Sequence, residues 1–537
     1  MQYDFIVIGA GSAGCVLADR LSESGRHRVL VLEAGPSDRR LFVQMPIGYG
    51  RTFHDPRVNW RYRTEPIPGL GGRIDYVPRG KLLGGSSSIN AMVYVRGQAQ
   101  DFDDWEALGN RHWGWRDVLA HYRKLEDHAF GESEHHGVRG PLRIADISKE
   151  AHPLCRAFIE AGEQAGLGFN PDFNGASQEG VGFYQITTRG GLRLSAARAF
   201  LRPAMRRRNL RVETLAQVTR IRFEGKRAVS VDYLRQGKMR TARAGREIIL
   251  SAGAINSPQL LQLSGVGPAS YLNSLGIEVV CENASVGRNL QDHLCYDHVY
   301  RSSKPTLNDE LLPWRGKLTV AAHYFLRRRG PLSLSINQAG GFLRTSPGLK
   351  RPDMQLYFSP LSYEKTPPGT RALLRPDPFP GFITSVSPCR PTSRGHVEIR
   401  SRNPLASPAI QPNSLATSED LDQLLAGARF LRKLAATASL SQVITEELRP
   451  GRACESDDEL RADIKARAYS VFHPCGTCRM GPAAEACVVD DRLRVHGLAS
   501  LRVIDASIFP TLPSGNINAP SLMVGAKGAD IILQDSC

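Results

Sequence analysis

Several features that commonly define a protein class are missing from this sequence. No apolar run approaches the length of about eighteen residues that a membrane-spanning helix requires. There is no low-complexity tract, heptad run or internal repeat, which argues against coiled coils and repeat solenoids. The chain enters an apolar strand at once, without the charged start and cleavage site of a signal peptide, so a cytoplasmic protein is expected.

Signals for nucleic-acid binding are also scarce, although the formal net charge is +16. The sequence has no long basic tail, no zinc-finger spacing and no aromatic-basic pattern typical of RNA-binding modules. Arginine is spread along the chain, and its densest runs are short, at Arg206–Arg208 and Arg327–Arg329. These runs fit a solvated face or weak contact with an anionic membrane, and nucleic acid is not predicted as a partner.

Cysteine is sparse, and its ten copies are scattered, so reduced thiols are expected. Cys475 and Cys478 form a CxxC that begins two residues after His473, which raises zinc or a redox dithiol as alternatives. No second ligand cluster with metal spacing follows, and His496 is isolated. No metal is therefore predicted.

At 537 residues the chain is too long for one ordinary core, so two or more domains are expected. Its start has the pattern of a βαβ unit. A short apolar strand at residues 5–8 runs into Gly9, Gly11 and Gly14, a helical pattern follows, and a second strand ends at Glu33. This complete arrangement predicts dinucleotide binding more strongly than the glycines alone would.

Each residue of this fingerprint has a physical role. Gly9 permits the tight turn, Gly11 lets the backbone approach a pyrophosphate, and Gly14 lets the helix pack closely on the strand. The free N–H groups of the helix N-terminus then face the phosphates. Glu33 lies 19 residues beyond Gly14, where an acid can bind both ribose hydroxyls and disfavours NADP.

Two further stretches point to a family. Residues 79–97 contain paired glycines, three serines and an apolar run, and residues 251–267 continue a buried strand into a helix capped by Ser257-Pro258. Both stretches resemble the signatures of the glucose-methanol-choline oxidoreductases along their whole length, and the resemblance covers essentially the entire chain. Residues 84–97, 134–138, 180–185 and 195–201 are most similar to bacterial membrane-associated aliphatic alcohol dehydrogenases and choline-dehydrogenase-like proteins.

The resemblance implies an α/β fold and a bound FAD. It implies a Rossmann-like FAD-binding domain, and a substrate domain with a mainly antiparallel sheet and flanking helices. The FAD-binding domain is expected at residues 1–150, 195–300 and 470–537, and the substrate domain at residues 151–194 and 301–469.

The catalytic residues that the resemblance implies lie near the C-terminus. Alcohol oxidation requires a base for the hydroxyl proton, and a histidine suits that task. His473 and Asn518 match the paired active-site positions of the family, with His473 as the base and Asn518 as the partner that holds the alkoxide. A backbone-bonded histidine and a turn asparagine before Ala519-Pro520 are the structural alternatives.

The resemblance also implies the residues around the cofactor. The predicted FAD-binding set is Gly9, Gly11, Ser12, Ala13, Gly14, Glu33, Ala34, Gly84, Ser88, Asn90, Ala91, Val93, Val218, Ala252, Asp505, Ala506 and Asn516. Some choline oxidases have a flavin-bonded histidine where this chain has Ile89, so non-covalent FAD is expected. Related enzymes often have glutamate where Gln338 stands, and the neutral side chain makes a quaternary ammonium substrate less favoured.

The sequence therefore predicts an FAD-dependent dehydrogenase that oxidises a primary alcohol to an aldehyde. Its electrons would pass to a quinone or another acceptor, with possible contact to the inner face of the cell membrane. Choline dehydrogenase and an O₂-using oxidase are the redox alternatives. A hydroxynitrile lyase that binds FAD without net redox chemistry, and a non-catalytic flavin-binding protein, are the alternatives from other classes.

Overall fold

The computed structural model describes residues 2–364 and 375–536, whose strands form two large sheets. The first sheet has the predicted nucleotide-binding topology, with parallel pairing between Gln2–Ile8, Val29–Leu32, Leu210–Glu213 and Lys238–Leu250. Leu501–Val503 adds a further parallel strand beside Lys238–Leu250. Two antiparallel strands, Ala216–Glu224 and Arg227–Arg235, complete its edge.

The second sheet is antiparallel, as predicted for the substrate domain. Its seven strands are Gly180–Phe183, Leu294–Ser302, Ala339–Leu343, Met354–Ser359, Gly381–Pro388, Ile444–Arg449 and Tyr469–Ser470. Together the two sheets confirm the expected α/β fold class.

The helices cover these sheets. Those of eight residues or more are Ser12–Ser22, Ala99–Ala107, Trp115–Leu125, Leu154–Gln164, Gly253–Leu263, Trp314–Arg327, Ser418–Ala435, Asp457–Arg467 and Asn518–Asp535. Shorter α-helices are Leu41–Gln44, Tyr49–Thr52, Arg202–Ala204, Ala269–Ser274, Leu307–Leu311 and Ala438–Ser441. Among the described residues, no helix is both long and apolar enough to cross a membrane.

The minor strands form pairs around these layers. They are Tyr62–Arg63 with Tyr76–Val77, Glu126–His128 with Leu142–Ile144, Thr188–Arg189 with Leu192–Arg193, Val266–Gly267 with Cys281–Glu282, Tyr363–Glu364 with Arg375–Pro376, and His396–Glu398 with Ala409–Gln411.

Sheet membership bears on the predicted domain limits. The strands of the first sheet all come from the three segments assigned to the FAD-binding domain. Strand Leu294–Ser302, however, pairs with Gly381–Pro388 and Ile444–Arg449 of the second sheet, so it crosses the proposed boundary at residue 300. Its partners form a second apolar core, separate from the core of the first sheet.

Candidate active site

A cavity of about 950 Å³ runs between the two sheets, a volume typical of cofactor sites. Of the predicted site residues, all but Gly14, Gly84 and Ser88 line this cavity. The far wall comes from the second sheet and its neighbours, a region in which the sequence pointed only to Gln338, which does not line the cavity. Its members include Asp297, Val299, Asn337, Tyr357, Ser359, Tyr363, Ser385 and Tyr469.

The glycines of the first βα turn fix the backbone conformation beside the cavity. Gly9 has a left-handed φ of 98°, and a Cβ there would lie 2.4 Å from the carbonyl oxygen of Ser251. A Cβ on Gly14 would lie 2.0 Å from the carbonyl oxygen of Gly9, so Gly14 supports the turn from behind the cavity. Helix Ser12–Ser22 has no side-chain cap at Gly11, which leaves its first N–H groups directed at the cavity.

Glu33 lies at the end of the second strand, where the sequence placed a ribose-binding acid. Its carboxylate accepts hydrogen bonds from the backbone N–H groups of Ala10 and Gly35, at 2.9 and 2.8 Å. Burial raises the pKa of Glu33 to about 7, against which these two hydrogen bonds act. The carboxylate is thus held in a fixed orientation at the cavity wall.

Only part of the loop after residue 83 lines the cavity, and the rest of the loop holds the lining residues in place. Gly84 donates its N–H to Ala10, and a Cβ on Gly85 would lie 2.8 Å from the Cα of Gly11. Ser88 donates its hydroxyl to the carbonyl of Leu83, away from the cavity. Asn90, Ala91 and Val93 do line the cavity, and Asn90 is held by Arg193 at 2.8 Å.

Asp505 lines the cavity and also joins two segments of the protein by hydrogen bonds. Its carboxylate accepts hydrogen bonds from the backbone N–H of Gly253 and the hydroxyl of Ser257, at 2.8 and 2.6 Å. These contacts tie the N-terminus of helix Gly253–Leu263 to the segment that contains Ala506, and both meet at the cavity.

The cavity's other end holds His473 within a chain of hydrogen bonds. The Nδ1 atom of His473 lies 3.0 Å from Nδ1 of His293, and Nε2 of His293 lies 2.9 Å from the carbonyl oxygen of Cys389. A carbonyl can only accept, so neutral His293 carries its proton on Nε2 and accepts at Nδ1. His473 must then donate from Nδ1, which leaves a lone pair on its Nε2 atom.

That nitrogen is kept unprotonated by its surroundings. Burial, His293 and the Arg79 guanidinium hold the pKa of His473 well below the usual histidine range. Burial also lowers the pKa of His293 to about 4. Both rings are therefore neutral near pH 7, and Nε2 of His473 can accept a proton.

The backbone beside His473 is anchored by a buried carboxylate. Asp292 accepts hydrogen bonds from the N–H of His473 at 2.7 Å and from the hydroxyl of Ser470 at 2.5 Å. Burial raises the pKa of Asp292 to about 6. Arg79 donates to the carbonyl of Phe472, the residue before His473, at 2.7 Å. The sequence stretch containing Asp292 and His293 fits the family, but no local pattern disclosed these contacts.

The side chain next to Nε2 is that of Asn516, whereas the sequence predicts Asn518 as the partner of His473. The Asn516 amide nitrogen lies 3.2 Å from Nε2 of His473. Asn518 is the first residue of helix Asn518–Asp535, and its side-chain amide oxygen Oδ1 accepts a hydrogen bond from the hydroxyl of Ser12 at 2.7 Å. Asn516 and Asn518 have different hydrogen-bond partners because the chain turns into the helix between them. Their side chains therefore face different parts of the cavity.

Gln338 differs from the expectation as well. It is buried, does not line the cavity, and accepts a hydrogen bond from the N–H of His152 at 2.7 Å. Its neutral side chain therefore stabilises the start of a neighbouring helical segment and carries no information about substrate charge. It is not a surface turn residue either.

The CxxC cysteines and one His-Asp group bear on metal binding. Burial raises the pKa of Cys475 and of Cys478 well above the usual range, so both stay as thiols. Within the described ranges, the group with metal-ligand chemistry is His128, His136 and Asp172. The two imidazoles stack with centroids 3.6 Å apart and planes at 12°, so their in-plane lone pairs do not converge on one ion.

Sequence comparisons give the same family along most of the chain. Two protein-family models, both described as GMC oxidoreductase, match residues 3–295 and 391–525. An alcohol dehydrogenase (acceptor) from Pseudomonas putida is 42% identical over 540 residues, covering 99% of this chain and 96% of its own. The mitochondrial choline dehydrogenase of Homo sapiens is 44% identical over 543 residues, covering 99% and 90%.

Solved structures share the fold over its full extent. A pyridoxine 4-oxidase from Mesorbium loti superposes with a TM-score of 0.88 at 32% identity, covering 99% of both chains. A formate oxidase superposes with a TM-score of 0.91 at 26% identity, covering 99% of this chain and 98% of its own.

Proposed function

The chain belongs to the GMC oxidoreductase family, enzymes that act on CH–OH donors, and on that premise we propose that it oxidises a primary alcohol to an aldehyde. His473 is the proposed base and FAD the proposed hydride acceptor. The observation that carries this proposal is the unprotonated Nε2 atom of His473, fixed by His293 and facing the cavity beside Asn516.

The proton step follows from this arrangement. An alcohol bound against Nε2 of His473 transfers its hydroxyl proton there, while the Nδ1 proton stays in its bond to His293. The Asn516 amide can donate to the oxygen that becomes negatively charged. The new imidazolium and alkoxide form in contact, so each charge offsets the burial of the other.

The cavity residues fit FAD. The uncapped helix N-terminus at Gly11–Ser12 suits a pyrophosphate, and the oriented Glu33 carboxylate can still accept from ribose hydroxyls. Asn90 and Ala91 line the same cavity as Gly11 and His473. When bound, the flavin accepts the hydride that leaves the alcohol carbon.

We expect the FAD to be held without a covalent bond. Ile89 lines the cavity and packs with Val43, Val58 and Leu82, and its hydrocarbon side chain offers no nucleophile. Acid or heat denaturation should release the flavin into the supernatant. Flavin that remained with the precipitated protein would contradict a non-covalent site.

A quinone or another acceptor of the respiratory chain is the proposed destination of the electrons. The Pseudomonas putida relative is likewise an alcohol dehydrogenase that uses an acceptor. Choline is the second candidate substrate, favoured by the human relative and by Tyr357, Tyr363 and Tyr469 in the cavity wall, since aromatic faces attract quaternary ammonium groups.

The test is an anaerobic titration of the FAD-loaded protein with hexanol, benzyl alcohol, choline and a sugar. Bleaching of the flavin band by one of them supports the redox proposal and names the substrate class. Rapid recovery of the band in air would identify an oxidase. If no alcohol of this series bleaches the band, the redox proposal fails for these substrates and a lyase becomes the better hypothesis.

Asn516 and Asn518 form a matched pair of variants. Asn516→Ala removes the donor beside the reacting oxygen, so we expect bleaching to slow by about 10²-fold or more. Asn518→Ala removes a bond to Ser12 and should mainly weaken FAD binding. Stopped-flow reduction and flavin titration of both variants separate these effects. A greater loss of reduction rate in Asn518→Ala would restore the pairing expected from the sequence.

A further inference from the structure

The helix Trp314–Arg327 turns an apolar face toward solvent. Only Val320 and Tyr324 of this helix are buried. Trp314, Leu318 and Phe325 are exposed by 67%, 61% and 50%, and the adjoining Leu326 by 84%. At about 100° per residue, positions 314, 318 and 325 fall within about 40° of one another on the helix.

This exposure is concentrated rather than scattered. Fourteen large apolar side chains are exposed among the described residues, and four of them lie on this one helix. Single exposed apolar residues need no explanation, but a contiguous apolar ridge indicates a contact surface.

The charge around the ridge is of one sign. Arg315, Lys317 and the run Arg327–Arg329 border it, and all are exposed. The sequence contains no acidic residue between Glu310 and Asp353. Within the described part of the chain, Glu150 does approach Arg329, at 3.7 Å. An apolar ridge with a cationic border is the pattern of helices that lie in the interface of an anionic membrane.

We propose that helix Trp314–Arg327 docks the protein on an anionic lipid bilayer. Trp314, Leu318, Phe325 and Leu326 enter the headgroup region, while the arginine run pairs with lipid phosphates. A second copy of the chain is a poorer occupant, because a symmetric contact would bring two of these cationic borders together without acids from the same segment.

The docking element connects directly to the cavity. The chain passes from Arg327 through the short helix Pro331–Ser333 to Ile336 and Asn337, which line the cavity wall. Docking would therefore hold that wall near the bilayer, where a lipid-soluble electron acceptor is found. Only this last link rests on the proposed function, and the docking itself does not.

Vesicle binding of the FAD-loaded protein tests the proposal. We expect sedimentation with phosphatidylglycerol-containing vesicles and little with pure phosphatidylcholine. The double variant Leu318→Gln, Phe325→Gln should lower the partition coefficient by about tenfold or more. Met239→Gln, at a site that is 59% exposed on another surface, should bind like the parent protein.

Trp314 supplies an independent signal. Its emission should shift to shorter wavelength on anionic vesicles, and Trp314→Phe should remove that part of the shift. Unchanged binding of the double variant, or equal binding to both vesicle types, would overturn the proposal. So would a dimer in light scattering that the double variant dissociates. Alcohol-driven bleaching is measured separately, so its failure would count against the proposed reaction and not against docking.

Discussion

At the scale of single residues, the proposed active site depends on the position of one proton. His293 donates to the Cys389 carbonyl, and that bond determines which nitrogen of His473 is free. A carbonyl oxygen can only accept, so both hydrogen bonds run in one direction, from His473 to His293 and from His293 to Cys389. In the proposed reaction His293 is thus a positioning residue, because it would act on the alcohol through His473.

A change at His293 should therefore alter the tautomer of the base. His293→Leu removes the acceptor for Nδ1 of His473, and we expect flavin reduction to slow by about 100-fold. His293→Asn retains an oxygen that can accept this proton and should recover part of the rate. Stopped-flow reduction with a saturating alcohol measures both, and equal rates in the two variants would argue against a tautomer effect.

The depressed pKa of His473 predicts an unusual pH dependence. The proposed base would act in its neutral form, and the pKa of His473 lies well below the ordinary value of about 6.5. The flavin reduction rate should therefore stay level as the pH falls from 8 through 6.5. A rate that halves near pH 6.5 would show that the base titrates like an exposed histidine.

At the scale of elements, the sequence predicts those parts that depend on local pattern. The βαβ unit and the turn at Gly9 follow from apolar periodicity and glycine spacing. Contacts that join distant segments were not predictable. The two-residue choice between Asn516 and Asn518 depends on where the chain turns into a helix, and the place of Gln338 depends on its packing against His152.

The close packing of the first helix gives a prediction of its own. Gly14→Ala would place a Cβ 2.0 Å from the Gly9 carbonyl oxygen, so the helix or the turn must move. We expect a loss of about 1–3 kcal/mol in stability and weaker FAD retention. Gly168→Ala is the control, because a Cβ there meets nothing within 4 Å. Urea midpoints and flavin titration compare them, and equal losses would contradict the packing argument.

A buried ion pair lies beside Tyr94 and Tyr122, which belong to the core of the first sheet. Arg96 and Glu126 are both inaccessible, and Glu126 also accepts from Tyr94 and His136. Although burial opposes it, Arg96 and these hydrogen bonds lower the pKa of Glu126 to about 2. The stability that this group contributes is therefore present above its ordinary pKa and is lost as the pH falls toward about 2.

Breaking this pair should be costly. Glu126→Gln leaves the Arg96 charge buried without its partner, and we expect a loss of about 3–5 kcal/mol. Glu224→Gln breaks the ion pair with Arg243, whose side chains are 67% and 66% exposed, and should change stability by less than about 1 kcal/mol. Urea unfolding measures the free energy of unfolding of both variants. A similar loss in the two would contradict the argument that burial makes the Arg96–Glu126 pair costly to break.

At the scale of the whole molecule, the cavity joins two cores. The apolar core of the first sheet and that of the second are separate clusters, and the site residues come from both sides of the space between them. A ligand in this space contacts both halves, so its binding is coupled to the stability of the whole.

Removal of FAD should therefore lower the unfolding temperature. Restoring the flavin at about 100 times its Kd would add about 2.7 kcal/mol to the stability of the folded state. Differential scanning calorimetry of the apo and reconstituted protein measures the shift. An identical transition in both forms would mean that the flavin does not select the folded cavity.

The hydrogen bond between Ser12 and Asn518 spans 506 positions of the chain. During synthesis, the first helix leaves the ribosome long before the segment that completes its site. The Gly-rich turn must wait for Leu501–Val503 to join its sheet and for helix Asn518–Asp535 to pack beside it. Nascent chains that stop before this segment would lack both Asn516 and the closing helix, so the complete site can form only after synthesis of the chain has ended.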